Sequence, residues 1–114
     1  MSELKCILEQ LISFPSVTPA DEGCQDYMIA YLENLGFSCK KMDSGPVYNF
    51  FASYGKESSG PLLVFAGHTD VVPVGDKDNW QTDPFVLTQK DNRLYGRGVA
   101  DMKGSLASML LMAK

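Results

Sequence analysis

The chain has 114 residues, is 45% hydrophobic and carries a formal net charge of −4. That apolar content supports a packed core and excludes a disordered chain, and the length suits one domain or part of one. The acidic balance, with no lysine or arginine cluster, argues against a nucleic-acid partner, and no apolar run approaches the ~20 residues that a membrane span requires.

Met1-Ser2-Glu3-Leu4 lacks the basic and apolar blocks of an export signal, so a cytoplasmic location is expected. Cys6, Cys24 and Cys39 are widely spaced and odd in number. Two fall on apolar helical faces, which fits reduced packing residues rather than a disulfide framework. Leu4, Ile7, Leu8, Leu11, Ile12 and Phe14 have the spacing of a helix over 2–14 with one buried face, ended at Phe14-Pro15. A second helix is expected to start at Thr18 as N-cap, with Pro19 in its first position and Asp21 completing a capping box. Cys24, Tyr27, Met28, Tyr31, Leu32 and Leu35 form its apolar stripe, and Gly36 stops it.

Phe37–Met42 and Val47–Tyr54 read as strands joined by the turn Asp43-Ser44-Gly45-Pro46. A polar loop, 56–60, leads to Leu62-Leu63-Val64-Phe65-Ala66, an apolar run bounded by Pro61 and Gly67. Having no polar alternation, it reads as a central strand covered on both faces. His68, the only histidine, and Asp70 follow at once. Two residues apart in extended backbone, they leave the chain on the same side, where ligands collect beyond strand ends in open α/β sheets. His-x-Asp suits a metal-binding imidazole oriented by a carboxylate on its other nitrogen. The plainer reading is a loop-capping His68 with Asp70 starting a turn.

Asp76 to Asn79 reads as a solvated turn, with Trp80 and Phe85 folding the excursion back. Phe85–Gln89 and Arg93–Tyr95 suit a hairpin whose Asp91-Asn92 turn tolerates positive φ. The glycines Gly96 and Gly98 do not build a dinucleotide loop, because the third glycine of that pattern would fall on Asp101. Lys103-Gly104-Ser105 has the wrong order for a phosphate loop. Asp101 lies near the start of a last helix over 102–114, where a plain capping role competes with a chemical one.

GHTDVVPVGD at 67–76, Trp80 with Asp83-Pro84-Phe85, and LYGRGVADMKGSLA at 94–107 resemble the metal-binding half of the di-zinc aminoacylase and carboxypeptidase-like amidohydrolases. Within that superfamily the wording is most similar to the succinyl-diaminopimelate desuccinylase branch. PSVTPADEGCQ at 15–25 and LGFSCKKMD at 35–43 extend the resemblance over essentially the whole chain, though over only the N-terminal part of such an enzyme. It implies an α/β fold with a mixed sheet flanked by helices, residues 1–114 being the N-terminal portion of one zinc-peptidase-like catalytic domain, cut in mid-helix. It also implies two zinc ions, for which cobalt can substitute. His68 would ligate one, Asp101 would bridge both, and Asp70 would be the catalytic-site acid orienting His68. The Asp101–Met102 peptide is expected to be cis.

The family's Glu-Glu pair (one member the general base), a further acidic ligand and a second histidine have no counterpart here, and the lid domain that forms the family homodimer is absent. A catalytic zinc generally needs three protein ligands, so this chain alone holds an incomplete site and is expected to bind zinc weakly and not to catalyse. The complete enzyme is expected to hydrolyse N-succinyl-LL-2,6-diaminopimelate, a small succinylated amino acid, to succinate and LL-diaminopimelate. Acetylornithine deacetylase and metallocarboxypeptidase activities are the alternatives within the superfamily. A non-catalytic remnant that associates with a partner is the alternative outside it, since the unfinished helix would leave Leu106, Met109 and Leu110 uncovered.

Overall fold

The computed structural model describes residues 2–56 and 60–114, so residues 57–59 of the expected polar loop lie outside the described residues. Helix α1 spans Glu3–Ser13. The Ser2 hydroxyl caps it by accepting the Lys5 N–H at 3.2 Å, and Phe14, extended before Pro15, ends it. Its buried face is Ile7, Leu8, Leu11 and Ile12, as the spacing requires.

Helix α2 spans Cys24–Asn34, so it begins later than the Thr18-Pro19 signal suggests. Residues 16–18 are taken up by a parallel bridge to 69–71 (Val71 N–H to Ser16 O and Thr18 N–H to Val71 O, both 2.9 Å), which withdraws them from the helix. The expected capping box does not form: the N-cap is Gly23, without a side-chain cap bond, and the Asp21 carboxylate instead accepts the Gln25 N–H of the first turn at 3.1 Å. Gly36, at φ +97°, closes the helix as expected. Its N–H reaches Glu33 O and that of Phe37 reaches Leu32 O, both at 3.0 Å, the paired bonds of a glycine-terminated helix end.

Helix α3 spans Gly104–Ala113 and packs against both α1 and α2. The core is one cluster that includes Ile7, Leu8, Leu11, Ile12, Cys24, Met28, Leu32, Leu106, Ala107 and Leu110. Leu106 and Leu110 are therefore covered and Met109 is half-buried, contrary to the expectation of a bare helix face. Helix α1 supplies the cover, and sequence spacing within α3 carries no information about it.

The α/β class holds, and among the described residues the strands form two separate two-stranded antiparallel ladders. Strand β1 (Ser38–Lys41) pairs with β2 (Phe50–Ser53) beside α2, and β3 (Thr88–Lys90) pairs with β4 (Arg93–Tyr95). Asp91 and Asn92 turn the second hairpin at φ +53° and +63°. Among the described residues, the parallel part of the expected mixed sheet is confined to the Val17–Val71 bridge. Residues 62–66 join no ladder; Leu62 is 87% exposed and Phe65 50%. An apolar run records a preference for cover without saying which segment provides it, and no described segment covers this one. Trp80 does fold the 71–80 excursion back, donating its indole N–H to Val74 O at 2.9 Å beneath the Arg97 guanidinium. Phe85 is half-buried, its backbone N–H on the Asp83 carboxylate.

Candidate metal centre

The segment carrying His68 is anchored by the residue beside it. Thr69 is buried: its carbonyl accepts the Ser16 hydroxyl at 2.8 Å and its hydroxyl accepts the Gln25 amide at 3.1 Å. Asp21, also buried, lies 3.5 Å from that hydroxyl. With Thr69 pointing inward, strand alternation turns His68 and Asp70 outward together, as their spacing predicts.

Their geometry is specific. His68 Nδ1 lies 3.0 Å from the Asp70 carbonyl and 3.2 Å from the Asp70 carboxylate. On the other side of the ring, Nε2 lies 3.0 Å from Asp101 Oδ1. The partners of both ring nitrogens are oxygens, so with Asp70 and Asp101 ionised each nitrogen carries a hydrogen, or a cation stands between Nε2 and Asp101. Burial alone would lower the imidazole pKa. The Asp70 carbonyl and the Asp101 and Asp70 carboxylates outweigh it, and His68 is held above its ordinary value. An imidazole nitrogen beside a carboxylate oxygen is a donor pair that a divalent transition metal accepts, and the Asp70 contact fixes the tautomer that frees Nε2 for it.

Asp101 reaches this position from a different element. It sits in a wide turn, Val99–Lys103, just before α3, with non-helical backbone (φ −133°, ψ +92°), and its peptide to Met102 is cis as the resemblance implies. Asp101 is therefore not the helix cap; that position is Lys103. Its carboxylate is 86% exposed. Met102 packs below the histidine, its sulfur 3.4 Å from the His68 N–H. The turn can approach the 69–71 segment because residue 98 is glycine: at φ +91°, an added Cβ would lie 2.5 Å from Val71 Cγ1.

The structure thus brings together all three candidate residues, His68, Asp70 and Asp101. Among the described residues, no group of three or more histidine, cysteine or carboxylate side chains could by itself hold a metal ion. The imidazole Nε2 and the Asp101 carboxylate face one another, and Asp70 bonds the far nitrogen. Of the cysteines, Cys24 is buried in the core and its thiol pKa is pushed up to about 11 by that burial, while Cys39 is half-buried and Cys6 exposed. The sequence reading missed Lys103. It is fully buried, and its ammonium donates to Leu11 O at 2.6 Å and Phe14 O at 2.9 Å at the end of α1. A lysine near a helix start looks like any surface lysine, so no local signal marks it.

The fold that carries these three residues has a counterpart in a solved metallo-carboxypeptidase. Residues 64–114 match the model of peptidase family M20/M25/M40. The chain superposes on a metallo-carboxypeptidase of that family from Sulfolobus solfataricus with a TM-score of 0.87 at 26% identity, covering 99% of this chain and 26% of that one. For human carnosine dipeptidase 1 the values are 0.80 and 29%, covering 97% and 27%.

Curated relatives are more similar still. Over all 114 residues the chain is 66% identical to succinyl-diaminopimelate desuccinylase of Legionella pneumophila (strain Corby) and 49% identical to that of Coxiella burnetii (strain Dugway 5J108-111). It spans about 30% of the length of these relatives.

Proposed function

We propose that residues 1–114 form the N-terminal portion of the catalytic domain of a zinc-dependent amide hydrolase, one that releases succinate from N-succinyl-LL-2,6-diaminopimelate. The observation that carries this reading is the imidazole of His68 set between Asp70 and Asp101, within a chain 66% identical throughout to a desuccinylase. His68 Nε2 and Asp101 would be the metal donors, Asp101 as the carboxylate shared by two ions. Asp70 holds the hydrogen on Nδ1, keeping the Nε2 lone pair directed at the site. Zinc, or cobalt in its place, would supply Lewis-acid polarisation of the amide carbonyl and lower the pKa of bound water toward about 7.

The remaining ligands and the glutamate that moves the proton would come from the rest of a full-length protein, as would the dimer-forming lid. On this reading the 114-residue chain alone binds zinc weakly and is inactive. The net charge of −4 and the lack of a lysine or arginine cluster in the sequence argue against a nucleic-acid partner, which leaves a small-molecule substrate as the better fit. Among the described residues no helix is long and apolar enough to cross a membrane, and a cytoplasmic site of action suits an enzyme of amino-acid biosynthesis.

The deciding experiment gives the full-length, zinc-loaded protein equal concentrations of N-succinyl-diaminopimelate, N-acetylornithine and simple dipeptides. Succinate release with the highest kcat/KM is the expected result. A higher kcat/KM on acetylornithine or on a dipeptide would move the assignment to the deacetylase or carboxypeptidase branch. No turnover of any of the three would favour the non-catalytic alternative.

A further inference from the structure

We infer that Lys103 is a positioning residue that fixes Asp101 against His68 by latching the Val99–Lys103 turn to the end of α1. Its importance for catalysis rests on the reading of Asp101 as a metal ligand. Asp101 is exposed, and among the described residues His68 is the one side chain bonded to its carboxylate. Its placement is therefore set by the backbone on either side. On the N-terminal side the turn is pinned at Gly98, which packs against Val71. On the C-terminal side it is held by Lys103, whose N–H donates to Gly98 O at 2.7 Å and whose ammonium takes the two α1 carbonyls.

Leu11 O and the carbonyl of the C-cap Phe14 lie at the negative end of the α1 dipole, where their backbone partners are the Phe14 N–H at 3.4 Å and the Ser16 N–H at 2.8 Å, so each has a second acceptor site for the ammonium. The arrangement joins three places at one side chain: the end of α1, the turn bearing Asp101, and the start of α3. A lysine does this where an apolar residue of similar length cannot, because only a donor reaches both carbonyls. Other bonds reach the turn, such as Gly104 N–H to Val99 O and His68 N–H to the Met102 sulfur at 3.4 Å, but neither of these ties it to α1, so loss of the ammonium frees Asp101 to drift from Nε2 without unpacking the Leu11–Leu106–Leu110 core.

The test compares Lys103→Met with wild type in the full-length protein, and uses Leu110→Ala as a control that loses stability away from the turn. In the metal-free protein, the His68 imidazole ¹⁵N signal (assigned by its loss in His68→Gln) is expected to shift in Lys103→Met and to stay in place in Leu110→Ala. With metal, Lys103→Met is expected to lose about tenfold or more in Co²⁺ affinity by chelator competition, the range typical of lost supporting contacts, with an altered visible spectrum. An unchanged imidazole signal and Co²⁺ spectrum in Lys103→Met overturn the inference, and so does an equal change in Leu110→Ala. Should Lys103→Met not fold, Lys103→Gln is read by the same criteria with a smaller shift expected. If wild type binds no Co²⁺, the proposed function fails, while the imidazole signal still decides the role of Lys103.

Discussion

Gly98→Ala is expected to destabilise the protein by about 2–5 kcal/mol, in two parts that experiment can separate. Residue 98 sits at φ +91°, where a side chain costs about 1–2 kcal/mol. The new methyl carbon would also lie 2.5 Å from Val71 Cγ1, well inside van der Waals contact, and forcing atoms into packed space costs about 1–3 kcal/mol. Val71 cannot simply retreat, because its N–H and C=O are both committed to the bridge with Ser16 and Thr18. Urea unfolding of the four proteins in the cycle (wild type, Gly98→Ala, Val71→Ala and the double variant) resolves the parts. In the Val71→Ala background the clash is gone, so Gly98→Ala is expected to cost only the backbone share, about 1–2 kcal/mol. Equal costs in both backgrounds would refute the steric argument, and a Gly98→Ala variant as stable as wild type would refute both parts. The same displacement pushes on the segment carrying His68, so metal affinity is expected to fall along with stability.

Asp70→Asn is expected to lower metal affinity about 10–100-fold with little change in melting temperature, read by chelator competition; unchanged affinity would remove Asp70 from its orienting role. In the metal-free protein His68 titrates above its ordinary value, so its contribution to stability is complete below about 6.5 and is lost as pH rises through the folded-state pKa. Asp101→Asn is expected to bring that titration down, as followed by NMR, and an unmoved midpoint would mean that Asp101 does not act on the ring. Cys24 has the same sign. Its folded-state pKa of about 11 lies above the ordinary 9.0, so its share of stability is present below pH 9 and disappears toward pH 11. Cys24→Ala is expected to flatten stability loss across that window, and native thiol labelling is expected to reach exposed Cys6 well before Cys24.

Much of the site was legible because it depends on local periodicity. His68 and Asp70 share a side because strand side chains alternate, and Asp91-Asn92 and Gly36 announce positive φ by residue type. Spacing places Asp101 near a helix start, but its pairing with His68 rests on family wording, since no local rule connects residues 33 apart. The illegible parts are those decided by distant chain. The true start of α2 depends on residues 16–18 bonding to 69–71, and the cover over Leu106 and Leu110 depends on where α1 lies. Lys103 is invisible for the same reason, its partners being carbonyls some ninety positions earlier. Residues 62–66 show the converse: their composition demands burial, which no described segment supplies.

That uncovered run bears on how the polypeptide behaves at high concentration. Leu62 to Ala66 is an uncharged stretch with β-favouring residues at its centre, and all five of its residues are exposed. Segments of this kind, when their backbone groups find no ladder, pair with copies of themselves. Pro61 and Gly67 bracket the run and limit its length to five residues, a natural brake on sheet growth from either end. Self-association of this chain at high concentration is therefore expected to start from those five residues rather than from the helical core.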